Sequence, residues 1–213
     1  HLGAEGITEK EAFAMGLFVA DGSCGIYNCP SGKKCSWAIN NANMELLVHT
    51  MTCLPFKGKI LQTLQSSGVY KLVPIGNVKS QVIRYRALFY NKHREKMIPS
   101  LILTHPNMEV VQSFWDGFYA GDGDRKQPGL KITQKGKQIT TGLWLLARRL
   151  GYKVSINCRV DKPSVFTITM TKSSQRYPPT RIKKVIKSFT SFICVKSDFC
   201  FCQSIQKFFL INF

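Results

Sequence analysis

Acidic residues are scarce in this chain of 213 residues: 12 Asp plus Glu stand against 30 Lys plus Arg, for a formal net charge of +18. A chain so charged repels itself unless a polyanion neutralises it, so nucleic acid comes first among partners, ahead of an anionic membrane surface. Long apolar runs are missing as well. No stretch approaches the ~18 unbroken apolar residues of a membrane helix, and the first residues lack the basic-then-apolar order of a signal peptide. The expectation is a soluble intracellular protein without a membrane partner, in the cytoplasm or nucleus wherever its polyanion is. None of the eight cysteines form a Cys-x2-Cys pair. Structural zinc on Cys24, Cys29 and Cys35 is therefore the weaker reading, and buried free thiols the preferred one. Disorder is excluded by what is present: 44% hydrophobic residues, including 14 Phe, 7 Tyr and 3 Trp, suffice for a core.

An internal repeat organises the chain. AFAMGLFVADGSCG (Ala12 to Gly25) and SFWDGFYAGDGDR (Ser113 to Arg125) both run apolar, small, apolar, small, then Asp-Gly. Thr8 and Glu11 form a capping box before the first copy, and Gly22 and Gly123 stand where a chain leaves a helix, expected in a left-handed conformation. Helices are expected from about Glu9 to Ala20 and Pro106 to Gly121. In the first half, strands follow at Ser23 to Tyr27 and Lys34 to Asn40, then a helix at Met44 to Cys53. Strands at Ile60 to Gln65 and Tyr70 to Pro74 precede a basic helix at Val78 to Asn91. The second half repeats the plan with strand Leu130 to Gln134, helix Gln138 to Leu150, strands Lys153 to Val160 and Val165 to Thr171, and helix Thr180 to Phe192. The halves are expected at 1–105 and 106–192, with 193–213 an extension whose role the sequence does not reveal.

Gly16 and Ala20 in one helix, and Gly117 and Gly121 in the other, leave a nearly bare face on each. Glycine inside a helix costs about 1 kcal/mol relative to alanine. Close backbone approach between the two helices would offset that, with Leu17, Phe18, Phe114, Trp115 and Phe118 pointing away from the seam. If the helices pack in parallel, Asp21 and Asp122 meet at two negative helix ends, where a divalent cation relieves their repulsion. Two carboxylates with the free carbonyls of Ala20 and Gly121 are hard donors suited to Mg²⁺.

These residues carry a resemblance to the LAGLIDADG homing endonucleases in their single-chain, two-motif form. AMGLFVADG (Ala14 to Gly22) and WDGFYAGDG (Trp115 to Gly123) are the two motif copies, and KMIPSLI (Lys96 to Ile102) resembles the segment before the second motif in intein-embedded members. Val19 and Ala120 depart from the acid of the sixth motif position. An N-terminal Cys or Ser and a C-terminal His-Asn are absent, so the expectation is an endonuclease part without protein splicing. The resemblance implies an α+β fold of pseudo-two-fold duplicated αββαββα units, with two antiparallel saddle-shaped sheets and two motif helices at the central seam. It implies a monomer that cuts both strands of double-stranded DNA across the minor groove. Asp21 and Asp122 would hold two or three Mg²⁺ ions, replaceable by Mn²⁺, with Lys96 as the basic residue of one site and Lys172 its counterpart by topology.

Strand faces supply the candidates for base reading. Val154, Ile156, Cys158 and Val160 alternate with Ser155, Asn157 and Arg159, and Phe166, Ile168 and Met170 with Thr167, Thr169 and Thr171. Lys131, Thr133 and Gln134, and in the first half Lys34, Ser36, Asn40, Gln62 and Gln65, are the matching polar positions, on ribbons that fit a major groove. The competing readings are an inactive relative acting as an RNA-splicing maturase and a DNA-binding regulator. Both acids and Lys96 favour the nuclease, because a pure binder has no use for two crowded charges.

Overall fold

In the computed structural model, residues 6–63, 67–124, 130–172, 192–194 and 200–202 are described. The chain forms two compact units, His1–Asp124 and Arg125–Phe213. In chain order the first contains α1 (Glu9–Asp21), β1 (Gly22–Cys29), β2 (Gly32–Asn41), α2 (Met44–Cys53), β3 (Gly58–Gln62), β4 (Tyr70–Pro74), α3 (Val78–Phe89), α4 (Ser100–Leu103), α5 (Met108–Asp122) and β5 (Gly123–Asp124). The second contains β6 (Leu130–Lys135), α6 (Lys137–Arg149), β7 (Lys153–Cys158), β8 (Val165–Thr171), β9 (Phe192–Cys194) and β10 (Cys200–Cys202).

Two antiparallel sheets of four strands have matching orders, β1-β2-β4-β3 and β5-β6-β8-β7, so the α+β fold expected from the sequence is present. The expected helix Thr180 to Phe192 lies outside the described residues except for its last, Phe192, which stands in β9, and β9 and β10 pair antiparallel. Local signals set most boundaries. Thr8 Oγ1 accepts from the Glu11 backbone N–H at 3.2 Å and caps α1; Asn43, Asn77 and Asn107 cap α2, α3 and α5 in the same way. The helix α3 stops at Phe89 rather than Asn91 because Tyr90 bridges to Lys96, and Asn91 Oδ1 accepts from the N–H groups of His93 and Glu95 to close a turn.

The helices α1 and α5 pack in parallel through their glycines. A Cβ on Gly16 would collide with the carbonyl of Phe114 and lie 2.7 Å from the nitrogen of Phe118, and one on Gly117 would collide with the carbonyl of Phe13. Further along, a Cβ on Gly121 would meet Ala20 Cβ at 2.6 Å and Leu17 Cδ1 at 3.1 Å. Leu17 therefore borders the seam, against expectation, because the smaller Gly121 opposite leaves room for it. Phe18 does point into the core, stacking on Trp37 at 5.3 Å and meeting Tyr85 edge-on at 4.6 Å, with Phe89 at 5.3 Å. Such pairs add about 1 kcal/mol each beyond area burial.

Gly22 and Gly123 do not adopt the expected left-handed conformation. Their φ values are −88° and −72°, in extended backbone, because each helix runs straight into a strand. Glycine is required there for space: a Cβ would strike the ring and carbonyl of Phe18 at position 22, and of Tyr119 at position 123.

Substituting Gly16 or Gly117 by valine should destabilise the protein by at least about 3 kcal/mol, because the added atoms meet backbone that cannot rotate away. Chemical denaturation checks this against Lys59→Val, at an exposed position of β3, as the mild control.

Candidate functional site

The parallel packing brings the C-terminal ends of α1 and α5 together, and with them Asp21 and Asp122. A Cβ on Gly121 would stand 2.8 Å from Asp21 Oδ2, so the bare glycine makes the cradle in which that carboxylate sits. Burial pushes the Asp21 carboxyl up from its ordinary value, and the charge of Asp122 adds to the effect. A hydrogen bond from Asn41 and the charge of Lys96 oppose it. Two acids at two negative helix ends are thus held in tension, as the sequence led one to expect.

Lys96 reaches this place from the loop after α3. Its backbone is pinned by the antiparallel bridge to Tyr90 and by the Met97 N–H to Phe89 carbonyl bond of 2.9 Å. The ammonium donates to the carbonyl of Val19 at 2.8 Å and, at 3.4 Å, to that of Phe18, which also accepts from the Gly22 N–H at the end of α1. Burial lowers its pKa, against the raising effect of the charges of Asp122 and Asp21. Lys172 belongs to the second unit, just past β8, where it is exposed with its ammonium 5.0 Å from the Tyr152 ring centre.

Asn41 is the residue sequence reasoning missed. Its Nδ2 donates to Asp21 Oδ2 at 2.6 Å, while its Oδ1 accepts from the Asn43 N–H at 2.7 Å, so both ends of the carboxamide are committed. The available signal was alternation: Asn41 shares its face of β2 with buried Trp37 and Ile39, toward α1. Gln134 holds the same place in β6, two residues beyond fully buried Ile132, as Asn41 lies two beyond fully buried Ile39.

Register sorts the other candidates. In the first sheet Lys34, Ser36 and Asn40 lie on the face opposite the core, joined by Tyr27, Lys71, Lys59 and Leu61, which the sequence reading omitted. Gln62 does not belong with them: it pairs with Tyr70, two residues from the Ile60–Leu72 pair, on the helix-facing side. Gln65 lies outside the described residues. In the second sheet Lys131, Thr133, Ser155, Asn157, Thr167 and Thr169 share one face with Thr171, as expected. Gln134 is the exception, paired with Phe166 on the apolar face. Val160 falls beyond β7 in a turn and is 98% exposed, and the neighbouring Arg159 makes a two-pronged ion pair with Asp161.

The residues fit a hard divalent cation better than zinc. Among the described residues no group of three or more His, Cys, Asp or Glu could hold a metal ion, so the three cysteines proposed for zinc do not converge. Cys24 and Cys53 are buried free thiols, but Cys158 is exposed. At the helix ends, by contrast, two carboxylates and the terminal carbonyls of Ala20 and Gly121 supply only oxygen donors, which suits an ion that keeps waters of its own. Among the described residues, no helix is long and apolar enough to cross a membrane.

No protein-family model matches the chain. Its fold is that of the LAGLIDADG homing endonuclease I-DmoI: a structure of an I-DmoI variant with its target DNA and Mn aligns over 78% of this chain and 88% of that one, with a TM-score of 0.56 and 18% identity. The I-DmoI complex with DNA and Ca aligns over 78% of this chain and 84% of that one, at a TM-score of 0.54 and 18% identity. A DNA polymerase of Acanthamoeba polyphaga mimivirus is 40% identical over 189 residues, 85% of this chain. The chain spans only 11% of that polymerase's length.

In protein freed of divalent ions, Asp21→Asn should be more stable than the parent at neutral pH. The folded pKa of Asp21 lies above the unfolded value near 3.8, so the native state binds the proton more tightly and loses stability as pH rises through that window. Thermal unfolding in chelator should show the advantage vanish below about pH 3.8. Added Mg²⁺ should raise the parent's midpoint and leave the variant's nearly unchanged.

Proposed function

We propose that this chain is a LAGLIDADG homing endonuclease that makes a double-strand break in a long DNA site, each acid serving one strand. The observation that carries the reading is the pair Asp21 and Asp122 at the ends of two helices packed glycine to backbone, with Lys96 beside them. The shared fold with I-DmoI, solved with target DNA and divalent ions, supports it. Asp21, Asp122 and the carbonyls of Ala20 and Gly121 would hold Mg²⁺, or Mn²⁺ in its place, which would supply activation of water and charge stabilisation at the leaving 3′ oxygen.

The chain's own residues prepare that site. Asn41 fixes the orientation of the Asp21 carboxylate. Gly121 leaves room for it. Lys96 neutralises the negative end of α1 and sets a cation where the scissile phosphate would lie; Lys172 is assigned the matching role for the second site by its place after β8. The charge of +18 and the polar sheet faces attract and read the duplex, through Lys34, Ser36, Asn40 and Tyr27 of the first sheet and Lys131, Thr133, Ser155, Asn157, Thr167 and Thr169 of the second. The match to a short segment of a viral polymerase supports an intein-embedded origin, since an in-frame insertion leaves such a segment inside an unrelated, much longer chain.

Selection from a randomised duplex library in Ca²⁺, followed by transfer to Mg²⁺, tests the proposal. Site-specific double-strand cutting is the expected result; binding without cutting would favour a regulator, and selection of RNA over duplex DNA a maturase. Asp21→Asn and Asp122→Asn should bind the selected site yet cut it at least about a hundredfold more slowly. Asn41→Ala should bind normally and cut more slowly than the parent, and Asn41→Gln should recover part of the rate. Affinity should also fall steeply with salt, by about a factor of 10³ or more from 50 to 200 mM.

A further inference from the structure

Tyr27 is a large apolar side chain left in water on the face of a sheet, 52% exposed. It stands directly opposite Lys34 in the β1–β2 pairing and shares the outward face with Ser36 and Asn40. The ring does not rise from the sheet. It lies back along its own strand over Gly25, where a Cβ would come 3.0 Å from the Tyr27 hydroxyl and 3.1 Å from Cζ. The hydroxyl is therefore directed along the strand, and the aromatic ring is what this part of the face presents. Its surroundings select the occupant: β1 to β4 carry Lys33, Lys34, Lys59 and Lys71 and no Asp or Glu. An apolar ring set in a purely cationic field suits an apolar group on a polyanion.

The major-groove edge of a base pair offers one such group, the C5-methyl of thymine, and a ring presented this way cannot substitute a hydrogen bond for that contact. We propose that Tyr27 is a specificity-determining residue whose ring, laid over Gly25, packs against the methyl of one thymine in the half-site read by β1 to β4. This rests on the DNA reading above and deepens it.

The test compares selections from one randomised duplex library in Ca²⁺ by the parent, Tyr27→Ala and Tyr27→Phe, each first shown to melt like the parent. The parent should enrich thymine at one position where Tyr27→Ala shows no preference, other positions being unchanged, and Tyr27→Phe should select as the parent does. Replacing that thymidine by deoxyuridine should weaken the parent about fourfold, the value of one buried methyl, and leave Tyr27→Ala unaffected. Identical selections by Tyr27→Ala and the parent would overturn the proposal while leaving the DNA reading intact. So would a loss on Tyr27→Phe as large as on Tyr27→Ala, which would mean the hydroxyl makes the contact. A parent that enriches no duplex sequence would overturn the DNA reading itself and this proposal with it.

Discussion

Backbone-to-backbone contact between two helices is the constraint on which the rest of the first unit depends. Gly16 lies against the main chain of Phe114 and Phe118, and Gly117 against that of Phe13. Neither position can carry a side chain. The contact fixes the helices in parallel and in register, so that the next turn brings Gly121 against Ala20 and Asp21. Each glycine weakens its own helix by about 1 kcal/mol, and the close approach of two backbones offsets that loss. The electrostatic tension of the acids follows directly, because helices ending at one edge deliver their terminal charges there.

Around this seam the surrounding elements are placed to tolerate and use that charge. The loop after α3 delivers Lys96 to carbonyls of α1, and β2 delivers Asn41 to the carboxylate of Asp21. Both depend on apolar neighbours. Phe18, Trp37, Tyr85 and Phe89 join α1, β2 and α3 into one aromatic cluster, and that cluster sets where β2 and the 90–96 turn lie relative to Asp21. The ion pair of Glu11 with Arg84 holds α3 against the other end of α1. Packing and chemistry are therefore not separable: the residues that make the core also hold the acid's partners in place.

Much of the site was legible from the chain because it is written locally. Two Asp-Gly motifs, each five residues past a helical glycine, announce two helix ends, and polar alternation announces strands with one wet face. Asn41 was not legible in this way. It is twenty residues from Asp21, and although alternation with Trp37 and Ile39 puts it on the helix side of β2, nothing local says which side chain of α1 it meets. Gln62 and Gln134 could have been sorted by alternation alone, since Gln62 lies two residues from Ile60 and Gln134 is the neighbour of Thr133. Gly22 and Gly123 show the converse: the residue type was read correctly and its reason wrongly, because space rather than a left-handed turn demands glycine there.

By itself, then, the sequence indicated the repeated motif, the two seam helices, the order of most elements and the two acids at the helix ends, since each follows from residue type at short spacing. Only the tertiary structure decided the partners of Asp21 and the posture of Tyr27 over Gly25. Those depend on contacts between segments far apart in the chain, where the packing of one element selects among positions that local chemistry leaves equivalent.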